Sequence, residues 1–340
     1  MFKLISIKTP AYYLIENKLI TLIQTLYPNF DTIETQFKPK IKIIKKSSIN
    51  NLIIFIHGLG ACAEENTNVM EYMKSKNYHC IALALPYHIS KKPPKEKFSI
   101  AKREIFINET VKTLNELETT NTKIHLVGSS FGASFAKDIT EKLSPNIKKT
   151  CTFIAPFLDV YRLKDSLTIK SFDFLDKLNG LGTKLSTYMT DIKRNGHPDQ
   201  LGWYFLKPQH ILNAYQQVRT TFNKIPIYPI TIFLTSREKT VSNELTKTIL
   251  KDKKIITLDH FPHNMLIEKN QHNNKHFFNL LNEGFKDKKN QFHQANTKPK
   301  YSYIPDVIYP MSYRDAILPS IFVGSVLSIS LLLTLKTKKN

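Results

Sequence analysis

Cysteine and glycine are both scarce in this sequence. Three cysteines occur among its 340 residues, Cys62, Cys80 and Cys151, and their spacing fits neither a metal-binding motif nor a framework of paired disulfides. We expect them to be reduced and buried, which is the usual state of cysteines in a cytoplasmic protein. With only ten glycines, a chance match to a glycine-containing motif is rare, so such a motif carries weight.

Motifs for cofactors, metals and nucleic acids are also missing. The sequence has no phosphate-binding loop, no dinucleotide-binding fingerprint and no cluster of metal ligands, so we predict no cofactor and no metal site. Lysine and arginine outnumber the acidic residues by 49 to 28, which gives a net charge of +21. These basic residues are spread along the chain, so no nucleic-acid partner is predicted. Anionic lipid headgroups would suit the charge, at about 1 kcal/mol per well-placed lysine.

The most informative stretch of the chain, residues 128–132, reads Gly-Ser-Ser-Phe-Gly. Residues 123–127 before it predict a short buried strand, and residues 133–139 after it predict a helix. A sharp turn from strand to helix forces its central residue into a strained backbone conformation, and small residues on both sides avoid clashes. The pattern therefore predicts that Ser130 is a nucleophile held clear of the sheet.

A second glycine motif follows the apolar run 51–56 and reads His57-Gly58-Leu59-Gly60. Together with the serine motif, it resembles the α/β-hydrolase superfamily, and within it the serine esterases and lysophospholipases. The resemblance implies an oxyanion hole made by the backbone N–H groups of Leu59 and Phe131. His57 is expected to shape the turn by hydrogen bonding and to take no part in proton transfer.

The resemblance also places the general base after the last strand of the sheet. Residues 254–258 have the composition of that strand, and two histidines follow it. His263 is the predicted base because it precedes Asn-Met-Leu at the start of a predicted helix, and His260 is the alternative. The base is essential, because a serine hydroxyl is a weak nucleophile at neutral pH until an imidazole takes its proton.

The third member of the implied triad is a carboxylate after the preceding strand, which is predicted at 229–235. Glu238 is the predicted acid, and it would orient the imidazole and stabilise the imidazolium. The superfamily usually shows Gly-x-x-Asp-x-x-Val here, whereas this chain has Thr235, Glu238 and Val241. Asp159, which follows a predicted strand ending near residue 154, remains the alternative acid.

Strand patterns and helix patterns alternate between residues 51 and 284. Such alternation predicts an α/β fold with a mostly parallel central sheet and helices on both faces. Strands are predicted near 51–56, 79–85, 123–128, 150–155, 229–235 and 254–258, and helices near 63–76, 99–118, 131–143, 240–251 and 264–284. The helix near 99–118 is expected to bury an apolar stripe made of Ile100, Ile105, Ile107, Val111, Leu114 and Leu117.

The composition of the chain predicts its division into domains. Residues 158–228 are rich in aromatic and aliphatic side chains and are predicted to form a helical cap inserted into the core. The complete predicted order is an N-terminal segment at 1–50, a hydrolase core at 51–157 and 229–285 with the cap between its parts, a polar tether at 286–315 and a transmembrane helix at 316–335.

The segment 316–335 contains no charged residue. About 20 apolar residues in a helix span roughly 30 Å, the thickness of the hydrocarbon core of a bilayer. Lysines follow the segment, and Tyr309 and Tyr313 precede it, as suits the two membrane interfaces. We therefore predict membrane association through a single-pass C-terminal anchor, with a buried or surface-lying amphipathic helix as the alternative. More lysines precede the segment than follow it, which favours a cytoplasmic catalytic domain.

These features predict a serine hydrolase that cleaves a carboxylic ester through an acyl-enzyme intermediate. The apolar cap, the basic charge and the anchor favour a lipid ester, either a lysophospholipid or an acylglycerol. One alternative is a non-catalytic binding or scaffold protein of the same fold at a membrane, suggested by the irregular acid segment. Another is an acyltransferase, in which an alcohol other than water resolves the acyl-enzyme.

Overall fold

Six parallel strands form the central sheet of the protein. In the order of the chain they are β1 (Asn51–Ile56), β2 (His79–Leu83), β3 (Lys123–Ser129), β4 (Lys149–Ile154), β7 (Ile230–Thr235) and β8 (Lys254–Leu258). Their order across the sheet is β2-β1-β3-β4-β7-β8. The strands are rich in apolar residues, many of them β-branched. Residues 52–55 of β1 are fully buried, because helices cover both faces of the sheet. The predicted parallel sheet is confirmed.

The computed structural model describes most of the chain between residues 50 and 285. The described ranges are 50–85, 88, 100–118, 121–160, 163–177, 180–186, 192–193, 205–206, 208–224, 226–238, 240–259, 261, 263–267 and 271–285.

Helices connect the strands. They are α1 (Thr67–Ser75), α2 (Ile100–Asn115), α3 (Gly132–Lys142), α4 (Leu163–Asp176), α5 (Leu181–Ser186), α6 (Pro208–Thr221), α7 (Asn243–Ile249) and α8 (Gln271–Phe285), with 3-10 turns at Ala63–Asn66 and Met265–Ile267. The helix predicted at 63–76 is thus divided. The division occurs at Asn66, whose side chain donates to the carbonyl of Ala63 at 3.1 Å and so competes with helical hydrogen bonding.

Helix α2 buries most, but not all, of the predicted stripe. Ile107, Val111, Leu114 and Leu117 are buried as expected, but Ile100 and Ile105 are 52% and 47% exposed. The buried face of the helix follows the spacing of Arg103, Phe106, Ile107, Thr110, Val111 and Leu114. These positions repeat every three or four residues, so they lie on one side of the helix, and the arginine lies among them.

The buried Arg103 of α2 connects its own helix to α3 and α6. Its guanidinium donates to Asp138 on α3 at 2.6 Å, to Ser134 on α3 at 3.2 Å and to Thr221 at the end of α6 at 3.2 Å. It also lies 3.9 Å above the centre of the Phe135 ring. A buried guanidinium needs such partners because its desolvation is costly. The contacts fix the end of α6 against the helix that follows the serine turn.

Helices α4, α5 and α6 lie between β4 and β7, together with a two-residue antiparallel ribbon formed by β5 (Ile192–Lys193) and β6 (Phe205–Leu206). They occupy the predicted cap insertion, whose boundaries and covering role stay predictions. No helix within the described ranges combines the length and the apolar character needed to cross a membrane. The predicted N-terminal segment, tether and transmembrane segment lie outside those ranges, apart from residue 50.

All three cysteines are free and buried, as the sequence predicts. Burial raises the pKa of the Cys80 thiol and that of the Cys151 thiol to about 12. Both thiols are therefore protonated at neutral pH. Neither thiol is therefore poised to act as a thiolate nucleophile.

Candidate active site

Ser130 lies in the sharp turn between β3 and α3, with a backbone φ of 51°. This left-handed conformation is strained for a residue with a side chain. The end of β4 and the segment after it stabilise this conformation, since the Ser130 N–H donates to the carbonyl of Ile154 at 2.8 Å and the Phe157 N–H donates to the carbonyl of Ser130 at 3.1 Å. Residues 154–157 therefore hold the main chain of Ser130 on both sides.

The glycines on either side of Ser130 allow this turn to pack closely. A Cβ atom at Gly132 would lie 2.3 Å from the carbonyl oxygen of Ile56, and one at Gly128 would lie 2.5 Å from the Cα of Ala133. Both contacts are with main-chain atoms, which cannot rotate away. The predicted need for small residues around the serine is confirmed in physical terms.

Gly132→Ala is expected to destabilise the protein by about 3 kcal/mol, because the added methyl group overpacks a site bounded by main chain. Gly284→Ala is the matched control, since a Cβ there would meet no atom nearer than 3.8 Å. Alanine at that helical position is expected to be neutral or to stabilise by about 0.5–1 kcal/mol. Urea unfolding followed by circular dichroism measures both. Equal stability of the two variants would contradict this packing.

The turn after β1 lies directly beside the serine. A Cβ atom at Gly58 would lie 3.0 Å from the Cβ of Ser130 and 3.6 Å from its Oγ. The Ala61 N–H closes the turn by donating to the carbonyl of Gly58 at 3.2 Å. Leu59 lies within this turn, and Phe131 directly follows the serine. The structure thus brings the two segments that carry the predicted oxyanion donors next to Ser130.

His57 shapes this turn through both of its ring nitrogens. The Leu85 N–H donates to Nε2 at 2.9 Å, so Nε2 is unprotonated and Nδ1 carries the proton. Nδ1 lies 2.9 Å from the carbonyl oxygen of Gly58 and donates to it. A histidine with both nitrogens in main-chain hydrogen bonds is a structural element, as predicted.

Glu238 and His263 form a hydrogen-bonded pair. Nδ1 of His263 lies 2.8 Å from Oε2 of Glu238. The other carboxylate oxygen, Oε1, accepts from the N–H groups of Thr240 at 2.7 Å and Val241 at 3.2 Å. The side chain of Glu238 is only 1% exposed, whereas that of His263 is 21% exposed. One edge of the imidazole is thus fixed by a buried acid while part of the ring stays accessible.

The surroundings of Glu238 keep it ionised. Burial alone would raise the pKa of its carboxyl group, but the charge and hydrogen bond of His263 and the two backbone N–H groups lower it further than burial raises it. The net effect is a pKa below the ordinary value. Because an ionised carboxylate only accepts hydrogen bonds, His263 must donate from Nδ1, so Nε2 is the unprotonated nitrogen of the neutral ring.

Asp159, the alternative acid, lies near the same segment. Its main-chain carbonyl accepts from the Ser242 N–H at 2.9 Å. Its carboxylate accepts from the Val160 N–H at 2.8 Å and forms an ion pair of 2.9 Å with Lys170 on α4. The carboxylate therefore connects the start of the insertion to α4. The alternative base, His260, lies outside the described residues.

Glu65 is a buried carboxylate that no sequence motif indicates. It supports the segment after β8 that carries His263, here called the histidine loop. Glu65 is 6% exposed in the 3-10 turn after the His57 motif, and its Oε2 accepts from the side-chain amide of Asn264 at 2.8 Å. Asn264 directly follows His263. The contact joins two loops that are 199 residues apart, and such a separation leaves no periodic signal in the sequence.

Residues 51–223, just over half of the chain, match the family described as alpha/beta hydrolase fold. No curated protein matches the chain. Among solved structures, a structure of the metagenome-derived lipolytic enzymes LipS and LipT is 11% identical, with a TM-score of 0.52 and coverage of 74% of this chain and 99% of that one. A soluble variant of monoglyceride lipase from Saccharomyces cerevisiae is also 11% identical, with a TM-score of 0.51 and coverage of 74% and 96%.

At 11% identity, these solved structures establish a shared fold. The family match rests on the sequence itself, and it includes the turn after β1, the serine turn and the start of the insertion. The parallel sheet and the strained serine between β3 and α3 agree with it. The chain therefore belongs to the alpha/beta hydrolase fold family.

Proposed function

We propose that this protein is a serine hydrolase that cleaves a carboxylic ester, with Ser130 as nucleophile, His263 as general base and Glu238 as the acid that orients it. The observation that carries this proposal is the hydrogen bond between His263 and the buried Glu238. It fixes the imidazole tautomer whose Nε2 can accept a proton. Ser130, in its strained turn beside Gly58, supplies the hydroxyl group.

The proposed reaction has two steps. Ser130 Oγ attacks the ester carbonyl carbon while His263 Nε2 takes the hydroxyl proton, and the tetrahedral oxyanion accepts hydrogen bonds from the N–H groups of Leu59 and Phe131. His263 then gives the proton to the departing alcohol, which leaves an acyl group on Ser130. Water attacks this acyl-enzyme by the same route, and the carboxylic acid is released.

We propose a lipid ester, either a lysophospholipid or an acylglycerol, as the substrate class. Two observations support this class: two similar folds belong to lipolytic enzymes and to a monoglyceride lipase, and the chain carries a net charge of +21. An inserted cap at 158–228, a tether at 286–315 and a membrane anchor at 316–335 complete the proposal. They would hold a cytoplasmic catalytic domain at a lipid surface, where such esters reside.

An ester panel tests the substrate class. The full chain in detergent micelles is offered monoacylglycerol, lysophosphatidylcholine and a short-chain p-nitrophenyl ester, with Ser130→Ala as the blank. We expect release of fatty acid from at least one of the lipid esters, with a higher kcat/KM than for the short ester. Faster cleavage of the short ester alone would contradict the lipid assignment. Formation of a new ester on addition of an acceptor alcohol would instead identify an acyltransferase.

A further inference from the structure

Strand β7 ends before Glu238, and strand β8 ends before His263. The segment after β7 that carries Glu238, here called the acid turn, and the histidine loop after β8 must therefore hold the two side chains together. The last rung of the ladder pairs Thr235 with Leu258, and the Ser236 N–H donates to the carbonyl of Leu258 at 2.9 Å. From there Glu238 is three residues beyond Thr235, and His263 is five residues beyond Leu258. The relative position of the pair therefore depends on contacts between the two connecting segments.

Thr235 provides such a contact through its side chain. Its Oγ1 donates to the carbonyl oxygen of Phe261, two residues before His263. The same hydroxyl accepts from the N–H of Arg237 at 3.3 Å. Thr235 has no exposed surface, and Phe261 is 3% exposed. A hydrogen bond in such surroundings is not exchanged for one to water, so its loss leaves a buried carbonyl unsatisfied.

The main chain of Thr235 also shapes the acid turn. Its carbonyl accepts from the Glu238 N–H at 3.3 Å and from the side-chain amide of Asn243 at 2.7 Å. Thr235 thus fixes the start of the acid turn through its main chain. Through its hydroxyl, it also fixes the main chain of the histidine loop at Phe261. A glycine at this position could make the main-chain contacts but not the contact with Phe261.

The length of the acid gives this contact its importance. Glutamate has one more methylene group and one more rotatable bond than aspartate, so its carboxylate samples a wider region unless both ends of the pair are held. The two N–H groups of Thr240 and Val241 hold the carboxylate. The hydroxyl of Thr235 restrains the loop that carries the imidazole.

We propose that Thr235 is a positioning residue, whose hydroxyl joins the acid turn to the histidine loop and keeps His263 within hydrogen-bond distance of Glu238. This inference rests on the proposed roles of Glu238 and His263. Because Thr235 would act on the geometry of the Glu238–His263 pair, its role can be tested both by enzyme activity and by a spectroscopic measurement that needs no activity.

The test compares Thr235→Val, which removes the hydroxyl at nearly constant shape, with Thr235→Ser, which retains it. The Val variant is expected to lower kcat about 100-fold with little change in KM, as displacement of a catalytic group does. The Ser variant is expected to keep kcat within about threefold of the wild-type value. Thr246→Val is the matched control, because Thr246 is equally buried but its hydroxyl donates to the carbonyl oxygen of Ser242, directly before its own helix, at 3.0 Å. Its kcat is expected to remain that of the wild type.

A proton NMR spectrum of the full chain in detergent gives a readout that needs no activity. The Nδ1–H of His263, hydrogen bonded to Glu238, is expected to give a far-downfield resonance that is present in the wild type and Thr235→Ser, and absent from His263→Ala. It is expected to shift or broaden in Thr235→Val. If that variant does not fold, Thr235→Ala replaces it in both measurements.

The two readouts separate the possible failures. A wild-type protein that shows the resonance but cleaves no ester would overturn the proposed function and leave the role of Thr235 in place. An unchanged resonance and an unchanged kcat in Thr235→Val, or equal losses of kcat in Thr235→Val, Thr235→Ser and Thr246→Val, would overturn the role of Thr235.

Discussion

His263→Ala is expected to lower kcat for ester hydrolysis by about a millionfold, the effect of removing the base from a serine triad. Without the imidazole, the proton of Ser130 has no acceptor during attack, and the departing alcohol has no donor. The remaining rate would come from the oxyanion donors and substrate binding alone. A burst of alcohol release in rapid-mixing experiments measures the acylation step directly, and it is expected to disappear.

His125→Asn is the matched control for this prediction. His125 is a buried histidine in β3, and its Nδ1 lies 2.7 Å from Oγ1 of Thr150 on β4. It lies near the amino end of the strand, whereas Ser130 follows the carboxyl end. Its replacement is expected to lower thermal stability and to leave the burst intact. A burst that persists in His263→Ala would show that another group accepts the proton.

Glu238→Gln is expected to lower kcat about 10⁴-fold, as the corresponding change of carboxylate to amide does in a serine triad. Glutamine has nearly the same shape, and its carbonyl oxygen can still accept from the N–H groups of Thr240 and Val241. Its amide group would then face Nδ1 of His263 with a donor, which favours the tautomer that carries its proton on Nε2. That tautomer cannot take the proton of Ser130.

Asp159→Asn makes the same chemical change at the alternative acid. It weakens the ion pair between the buried Asp159 carboxylate and the half-exposed Lys170, and it is expected to change kcat by less than about threefold, because Glu238 is the residue that orients the imidazole in the proposed triad. Steady-state hydrolysis by the two variants therefore identifies the acid. A large loss in Asp159→Asn with normal activity in Glu238→Gln would assign the role to Asp159.

The sheet and the serine turn could be predicted from sequence because each has a local cause. The strands are short apolar runs, and burial on both faces of a parallel sheet requires such runs. Gly128 and Gly132 are required because main-chain atoms lie too close to leave room for a Cβ atom. The spacing of the two glycines in the sequence therefore indicates this close packing. The acid and histidine candidates each follow a strand, and those two strands are parallel neighbours in the sheet. Their ends therefore lie close together, and Glu238 and His263 form a hydrogen bond there.

Other features depend on contacts between distant parts of the chain and leave no periodic signal. Arg103 is a charged residue on the buried face of α2, and it is stabilised there by Asp138 and Thr221, which lie 35 and 118 residues away. The bond of Thr235 to Phe261 appeared in the sequence only as a departure from the usual glycine. The departure itself does not reveal the contact, because a hydroxyl group gives no indication of its partner until the fold is known.

Labelling with a fluorophosphonate probe tests the central claim most directly. The full-length wild-type protein and Ser130→Ala are treated with the probe, and the modified residue is located by tandem mass spectrometry. We expect one phosphonate adduct on Ser130 of the wild type, slower labelling of His263→Ala and no adduct on Ser130→Ala. A folded wild-type protein that takes no label, or labels equally in Ser130→Ala, would contradict the assignment of Ser130 as the nucleophile of a hydrolase.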